Sequence, residues 1–120
     1  MNKTILLVDD DPAIVESTKL ILEYAGYKVK TAYDGYAIKE HINGTVPDLI
    51  LLDYWLPKKN GSEIIKELRQ SNKTRHIPIL VISASHNIKE QVESAGADGF
   101  LEKPFDMDDL LAKVKKHLSS

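Results

Sequence analysis

The sequence predicts an α/β fold: a doubly wound, five-stranded parallel sheet with helices packed on both faces. Two observations carry that prediction. Short apolar runs alternate with helix-patterned stretches five times along the chain, the rhythm of parallel strands joined by helical crossovers. Two of the runs, Asp48–Leu52 (DLILL) and Ile77–Ile82 (IPILVI), are apolar at successive positions rather than at alternate ones. An alternating strand has one wet face, so these two need cover on both sides. The 120 residues suit one domain with one core, spanning 1–120, and 42% hydrophobic with 28% charged residues is the balance of a folded chain.

The elements follow in order. Thr4–Val8 is a short continuous apolar run bounded by charge and reads as a buried strand. Asp11-Pro12 starts a helix: Asp is a favoured N-cap, and Pro suits the first helical position because its missing N–H has no partner there. Ile14, Thr18, Ile21, Leu22 and Ala25 continue it at helical spacing, and Gly26 is placed to close it in the left-handed conformation. Lys28–Ala32 is the second strand. Asp34–Ile42 is a short, weakly amphipathic helix ending at Asn43-Gly44. The third strand, Asp48–Leu52, leads to a helix over Gly61–Gln70 with Ile64, Ile65 and Leu68 inward. The fourth strand is Ile77–Ile82, and its helix, Asn87–Ala95, ends at Gly96. Asp98–Glu102 is the last strand. Asp106 caps a final helix to Leu118, with Leu110, Leu111, Val114 and Leu118 inward. Asp108 and Asp109 in its first turn and Lys115, Lys116 and His117 in its last match the helix dipole.

Bulk properties exclude several functions. A net charge of −2 and the absence of a basic face or helix-turn-helix argue against direct nucleic-acid binding. No cysteine is present, which removes disulfide and thiolate-metal chemistry. The apolar run near Met1 is too short for a signal peptide, and no stretch is long enough to span a bilayer. A soluble cytoplasmic domain is the expectation. Neither G-x-G-x-x-G nor G-x-x-x-x-G-K-[ST] occurs, which disfavours nucleotide binding.

Right-handed crossovers place all strand C-terminal ends on one edge, where ligands bind in such folds. That edge collects chemistry. The first strand ends in Asp9-Asp10, the third in Asp53, the fourth in Ser83, and the fifth runs into Lys103-Pro104. Crowded carboxylates raise one another's pKa, and a divalent cation relieves the conflict. Oxygen donors without thiolates, and no histidine at a strand end, point to Mg²⁺ rather than zinc. A carboxylate beside Mg²⁺ can attack phosphorus and form an acyl phosphate, with hydroxyl and ammonium arranged around the transferred oxygens.

Four pieces in this order and spacing resemble the receiver domain of two-component response regulators over essentially the whole chain: LLVDDDP, DLILLDYWLPKKNG, PILVISA and GADGFLEKPF. The resemblance implies a flavodoxin-like sheet of order 2-1-3-4-5. It implies that Asp53 is the phosphoacceptor. Asp10 is then a direct Mg²⁺ ligand, Asp9 acts largely through water, and the Trp55 backbone carbonyl completes the protein ligands. Ser83 matches the switch hydroxyl and Lys103 the lysine that pairs first with the acceptor and then with the phosphoryl group. The peptide bond before Pro104 is expected to be cis. Phe100 stands at the switch aromatic, where many receivers have Tyr. The partners so implied are a histidine kinase or phosphotransfer protein upstream and an effector protein or output domain downstream, for a monomer or weak phosphorylation-dependent dimer. Such a domain catalyses its own phosphorylation and dephosphorylation without being a stand-alone enzyme.

Each residue also has a plainer reading. Asp9-Asp10 alone is an acidic turn capping a helix, Asp53 an Asx turn before Pro57, Lys103 a surface lysine, Ser83 a strand-end hydroxyl. Asp11 is most simply the helix cap. Lys58-Lys59 reads as a solvated loop, and His41, His76, His86 and His117 as surface or loop residues. Two other functions compete. A Mg²⁺-dependent phosphatase with an aspartyl nucleophile would carry it after the first strand and would need a cap insertion. A phosphorylation-independent scaffold would tend to lose the acceptor, an acid or the lysine.

Overall fold

The computed structural model describes residues 3–118, with the side chain of His86 outside that description. Five parallel strands, β1 (Thr4–Val8), β2 (Lys28–Ala32), β3 (Leu49–Asp53), β4 (Ile79–Ser83) and β5 (Gly99–Glu102), form one sheet in the order β2-β1-β3-β4-β5. The helices are α1 (Pro12–Tyr24), α2 (Ile38–Ile42), α3 (Gly61–Gln70), α4 (Lys89–Ala95) and α5 (Met107–Leu118). This is the doubly wound flavodoxin-like order that the sequence resemblance implies.

β3 and β4 are buried at every position, as their unbroken apolar runs require. Alternate side chains feed two separate cores. Leu6, Ile50 and Val81 face α2, α3 and α4, through Ile38, Ile64 and Val92. Ile5, Leu51 and Ile82 face α1 and α5, through Leu22 and Val114. Each fully buried Leu or Ile contributes about 1.5–3 kcal/mol relative to exposure, so the strands are fixed by both layers and their C-terminal ends cannot wander.

The helix boundaries follow local chemistry. Asp11 caps α1 by accepting from the Ala13 N–H at 3.0 Å. At the other end Gly26, with φ 103°, lets its own N–H reach Glu23 and the Tyr27 N–H reach Leu22, closing the last carbonyls. Asn60 caps α3 by accepting from Glu63, and Asp106 caps α5 by accepting from Asp109. Gly96, with φ 116°, ends α4 as expected.

Several boundaries and faces differ from expectation. The buried face of α1 is Val15, Thr18 and Leu22; Ile14 and Ala25 are exposed, and Ile21 is half-buried. Thr18 and Leu22 face inward as expected, and Val15 takes the place of Ile14 in the first turn. α2 begins at Ile38, not Asp34, because the Asp34 carboxylate accepts from the Ala37 N–H and holds 34–37 as a turn. β3 begins at Leu49 and ends at Asp53, one residue later at each end. β4 begins at Ile79, since Pro78 has no N–H for the ladder although its carbonyl accepts from Ile50. A short 3₁₀ turn over His86–Ile88 precedes α4, and β5 starts at Gly99. Leu111 and Leu118 face inward as expected and pack against the α1–α5 core, though each is only half-buried. His76 is exposed and His41 half-buried. His117 is half-buried: its ring lies against Gly99 where a Cβ would otherwise stand, and burial pushes its pKa down.

Candidate functional site

The strand register brings the expected groups to one edge. Val8 pairs with Leu52 and Asp53 with Ile82, so the segments leaving β1, β3 and β4 lie side by side. Asp9 follows β1 and is only 4% exposed; Asp53 ends β3 at 7%. Asp10 is exposed at the rim. Asp9, Asp10 and Asp53 each present a carboxylate oxygen within 4.8 Å of the other two. Lys103, just past β5, reaches in from the far side. Its ammonium Nζ is 3.7 Å from both Asp9 Oδ2 and Asp53 Oδ1, an ion pair with each carboxylate but a hydrogen bond with neither.

Local bonds fix these groups. The Asp9 N–H donates to the Ala32 carbonyl, and Asp9 Oδ1 accepts from the Asp11 N–H at 3.0 Å. The Lys103 N–H donates to the Ser83 carbonyl, which sets the lysine at the edge of the site, and the Lys103–Pro104 peptide is cis. Ser83 is 1% exposed, and its Oγ accepts from the Ser85 N–H at 3.1 Å. The Trp55 backbone N–H lies near enough to the Asp53 carboxylate to favour its charged form. The Trp55 ring itself is half-exposed and meets buried Tyr54 edge-on, with centroids 4.7 Å apart. Phe100 is half-buried, paired in register with Val81 and packed on the α2–α3–α4 core.

The electrostatics are lopsided. Burial first, then the neighbouring Asp9 charge, push the Asp53 carboxyl up from 3.8 to about 6; Lys103 and the Trp55 N–H only partly oppose this, and Asp10 adds to it. Three carboxylates and one ammonium leave the cluster two charges negative. An all-oxygen donor set of that sign, from Asp9, Asp10 and Asp53, fits a hard divalent cation.

The structure thus brings Asp9, Asp10, Asp53, Ser83 and Lys103 to one edge, with the Trp55 backbone against Asp53. One expectation is overturned: Lys59 is not a solvated loop residue. It is half-buried, its Nζ lies 2.7 Å from both Glu67 carboxylate oxygens and 4.6 Å from the Tyr36 ring centroid. Nothing local in the sequence signals this, because the partners come from α3 and the β2–α2 loop. Lys58 beside it is exposed, as expected. An open groove of about 330 Å³ between α2 and α3, floored by Ile38, Ile42, Ile64 and Leu68, has Glu67 as its one carboxylate, already paired with Lys59. The acidic cluster lies outside this groove, at the strand edge.

The family described as the response regulator receiver domain matches residues 5–115. A curated relative, the DNA-binding dual master transcriptional regulator RpaA of Synechocystis sp., is 41% identical over 113 residues, covering 92% of this chain and 47% of its own length. The chain spans about half the length of the curated relatives that it matches. Among solved structures, the chemotaxis response regulator CheY4 of Vibrio cholerae superposes with a TM-score of 0.91 at 30% identity, over 98% of this chain and 100% of that one. The receiver domain of a sensor histidine kinase from Pseudomonas aeruginosa, with a magnesium ion coordinated in its active site cleft, superposes at 0.90 with 28% identity over the full length of both chains. Among the described residues, no helix is long and apolar enough to cross a membrane.

Proposed function

The chain belongs to the response regulator receiver family, and on that premise we propose that it is a phosphorylation-driven signalling switch in which Asp53 accepts the phosphoryl group. The observation that carries the reading is the buried Asp53 carboxylate, facing Asp9, Asp10 and the Lys103 ammonium on one edge.

Asp10, Asp53 and the Trp55 carbonyl would hold Mg²⁺, with Asp9 behind them. When bound, Mg²⁺ supplies the positive charge that offsets the acid cluster and the charge on the phosphoryl oxygens. The residues of the chain do the rest. A carboxylate oxygen of Asp53 attacks phosphorus, the donor's bond to phosphorus breaks, and the leaving group departs with that electron pair. For a phosphohistidine donor, the imidazole nitrogen keeps the pair. Lys103 turns from the Asp53 carboxylate to a phosphoryl oxygen, and the Ser83 hydroxyl donates to another. Hydrolysis reverses the state: water attacks phosphorus, the P–O bond to Asp53 breaks, and the carboxylate returns. The domain therefore acts on itself and is no stand-alone enzyme.

The donor is a histidine kinase or phosphotransfer protein in the cytoplasm. The phosphorylated state is read by an effector protein or an output domain through α4, β5 and α5. Drawing the Ser83 hydroxyl toward the phosphoryl group pulls the 84–87 segment inward, and Phe100 moves further into the core to fill the space beside β5. The chain is a monomer or a weak phosphorylation-dependent dimer, and it does not bind nucleic acid directly.

The test is incubation with acetyl phosphate and Mg²⁺ followed by intact mass. One added phosphoryl group, labile in base and lost in Asp53→Asn, is the expected result. Equal modification of Asp53→Asn would remove Asp53 from the role.

A further inference from the structure

The segment joining β3 to α3 carries Trp55, whose backbone touches Asp53, and it is held in an unusual shape. Its base is closed by the Gly61 N–H donating to the Tyr54 carbonyl at 2.8 Å. That closure needs glycine at 61, because a Cβ there would sit 2.8 Å from a Tyr54 ring carbon. Its tip is a three-residue turn in which the Lys59 N–H donates to the Pro57 carbonyl at 2.8 Å around Lys58. Lys58 has φ 70°, the one left-handed non-glycine residue among those described, a conformation that a side chain with a Cβ disfavours. A turn of this kind persists only where its surroundings over-determine it.

The next residue supplies that restraint. The Lys59 side chain is 16% exposed and runs back from the tip to two other elements. Its ammonium is bidentate to Glu67 on α3 and sits over the Tyr36 ring from the β2–α2 loop. Gly35, next to Tyr36, lets that loop lie against Ile64 of α3, since a Cβ at 35 would meet the Ile64 side chain at 2.8 Å. The clasp therefore joins three segments around one ammonium, on the flank of the acidic edge.

We propose that Lys59 is a positioning residue for the acidic site: clasped by Glu67 and Tyr36, it holds the strained tip at Lys58 and so keeps the Trp55 backbone against Asp53. The inference rests on the switch reading only for what the site then does; the clasp itself is a statement about the loop. Lys59 touches no reacting group and acts through Trp55.

Hydrogen exchange and Mg²⁺ binding, followed on the intact 120-residue chain, decide it. Lys59→Met keeps much of the stem and removes the charge; Glu67→Ala removes the acceptor; Lys66→Ala is a control on the same helix outside the clasp. In metal-free protein the Trp55 amide should exchange about tenfold faster in Lys59→Met and Glu67→Ala and unchanged in Lys66→Ala. The Mg²⁺ midpoint, read by Trp55 fluorescence, should rise at least about threefold in the first two. The charge-reversed pair Lys59→Glu with Glu67→Lys should recover part of both effects. Unchanged Trp55 exchange in both single variants overturns the proposal. Faster exchange with an unmoved Mg²⁺ midpoint also overturns it, because the clasp would then be structural only. If wild-type protein gives no Mg²⁺ response, the switch reading fails, while the exchange experiment still decides whether Lys59 holds Trp55 in place.

Discussion

The two ends of the same sheet handle charge in opposite ways. At the end where the strands begin, the charges are closely matched. Arg69 donates to the carbonyls of Gly96, Arg75 and Ile77 at 2.9, 3.0 and 2.7 Å, and to the Asp98 carboxylate at 2.6 Å. Asp98 also accepts from the Ile79 N–H, and Asp48 from the Thr4 N–H, each at 2.8 Å. At the end where the strands finish, three carboxylates crowd together and one ammonium lies 3.7 Å from two of them, Asp9 and Asp53. The first arrangement ties α3, α4, β4 and β5 together through hydrogen bonds to fixed carbonyls. The second leaves negative charge in excess on a rigid platform. Burial and like charge make it unfavourable as it stands, a conflict that a bound cation would relieve. Charge is matched at one edge and left in excess at the other.

The largest effect should come from breaking the matched end. Arg69→Ala strips a partner from three carbonyls and from Asp98, and should cost about 2–3 kcal/mol in urea unfolding. A loss within about 0.5 kcal/mol would show that the network is not the anchor that its geometry suggests.

A smaller effect, of opposite sign, should follow at the other edge. Because burial raises Asp53 from 3.8 to about 6, the folded protein holds its proton more tightly than the unfolded chain does. The unfolded chain binds fewer protons between those values, so stability falls as pH climbs through that window and levels off above it. In EDTA, Asp53→Asn should therefore be more stable than wild type at pH 7.5, by roughly 1 kcal/mol once solvent screening at the sheet edge is allowed for. The difference should vanish below about pH 4. A variant less stable than wild type at pH 7.5 would contradict the account of the acidic edge.

The smallest effect concerns Asp10, exposed at the rim. Asp10→Ala should raise metal-free stability by less than about 0.5 kcal/mol, as expected for an exposed site, and should abolish the stabilisation that Mg²⁺ gives to wild type. Retention of that stabilisation would move the metal away from Asp10.

The difference between the edges also explains what was legible in the sequence. Asp9, Asp10, Asp53, Ser83 and Lys103 can be placed because each sits at or just past the end of a strand whose apolar run is visible, and parallel topology gathers strand ends. The Asp11, Asp106 and Gly26 caps are legible for a similar reason: each acts on backbone a few residues away. Arg69 and Lys59 are not legible, since their partners lie on elements brought close only by tertiary packing. The start of α2 was hidden because Asp34 serves a turn as well as it would a helix cap, and the face of α1 because Ile14 and Val15 are both apolar. The late start of β4 was signalled by Pro78, whose missing N–H could have been weighed.

The most direct test of an under-neutralised edge is the carbon-13 titration of the Asp53 side-chain carboxyl, in EDTA and again with saturating Mg²⁺. The account predicts a midpoint near 6 without metal and one below about 5 with it, since an added cation favours the charged form. A midpoint at the ordinary 3.8 in EDTA, or one that Mg²⁺ leaves unmoved, would contradict it.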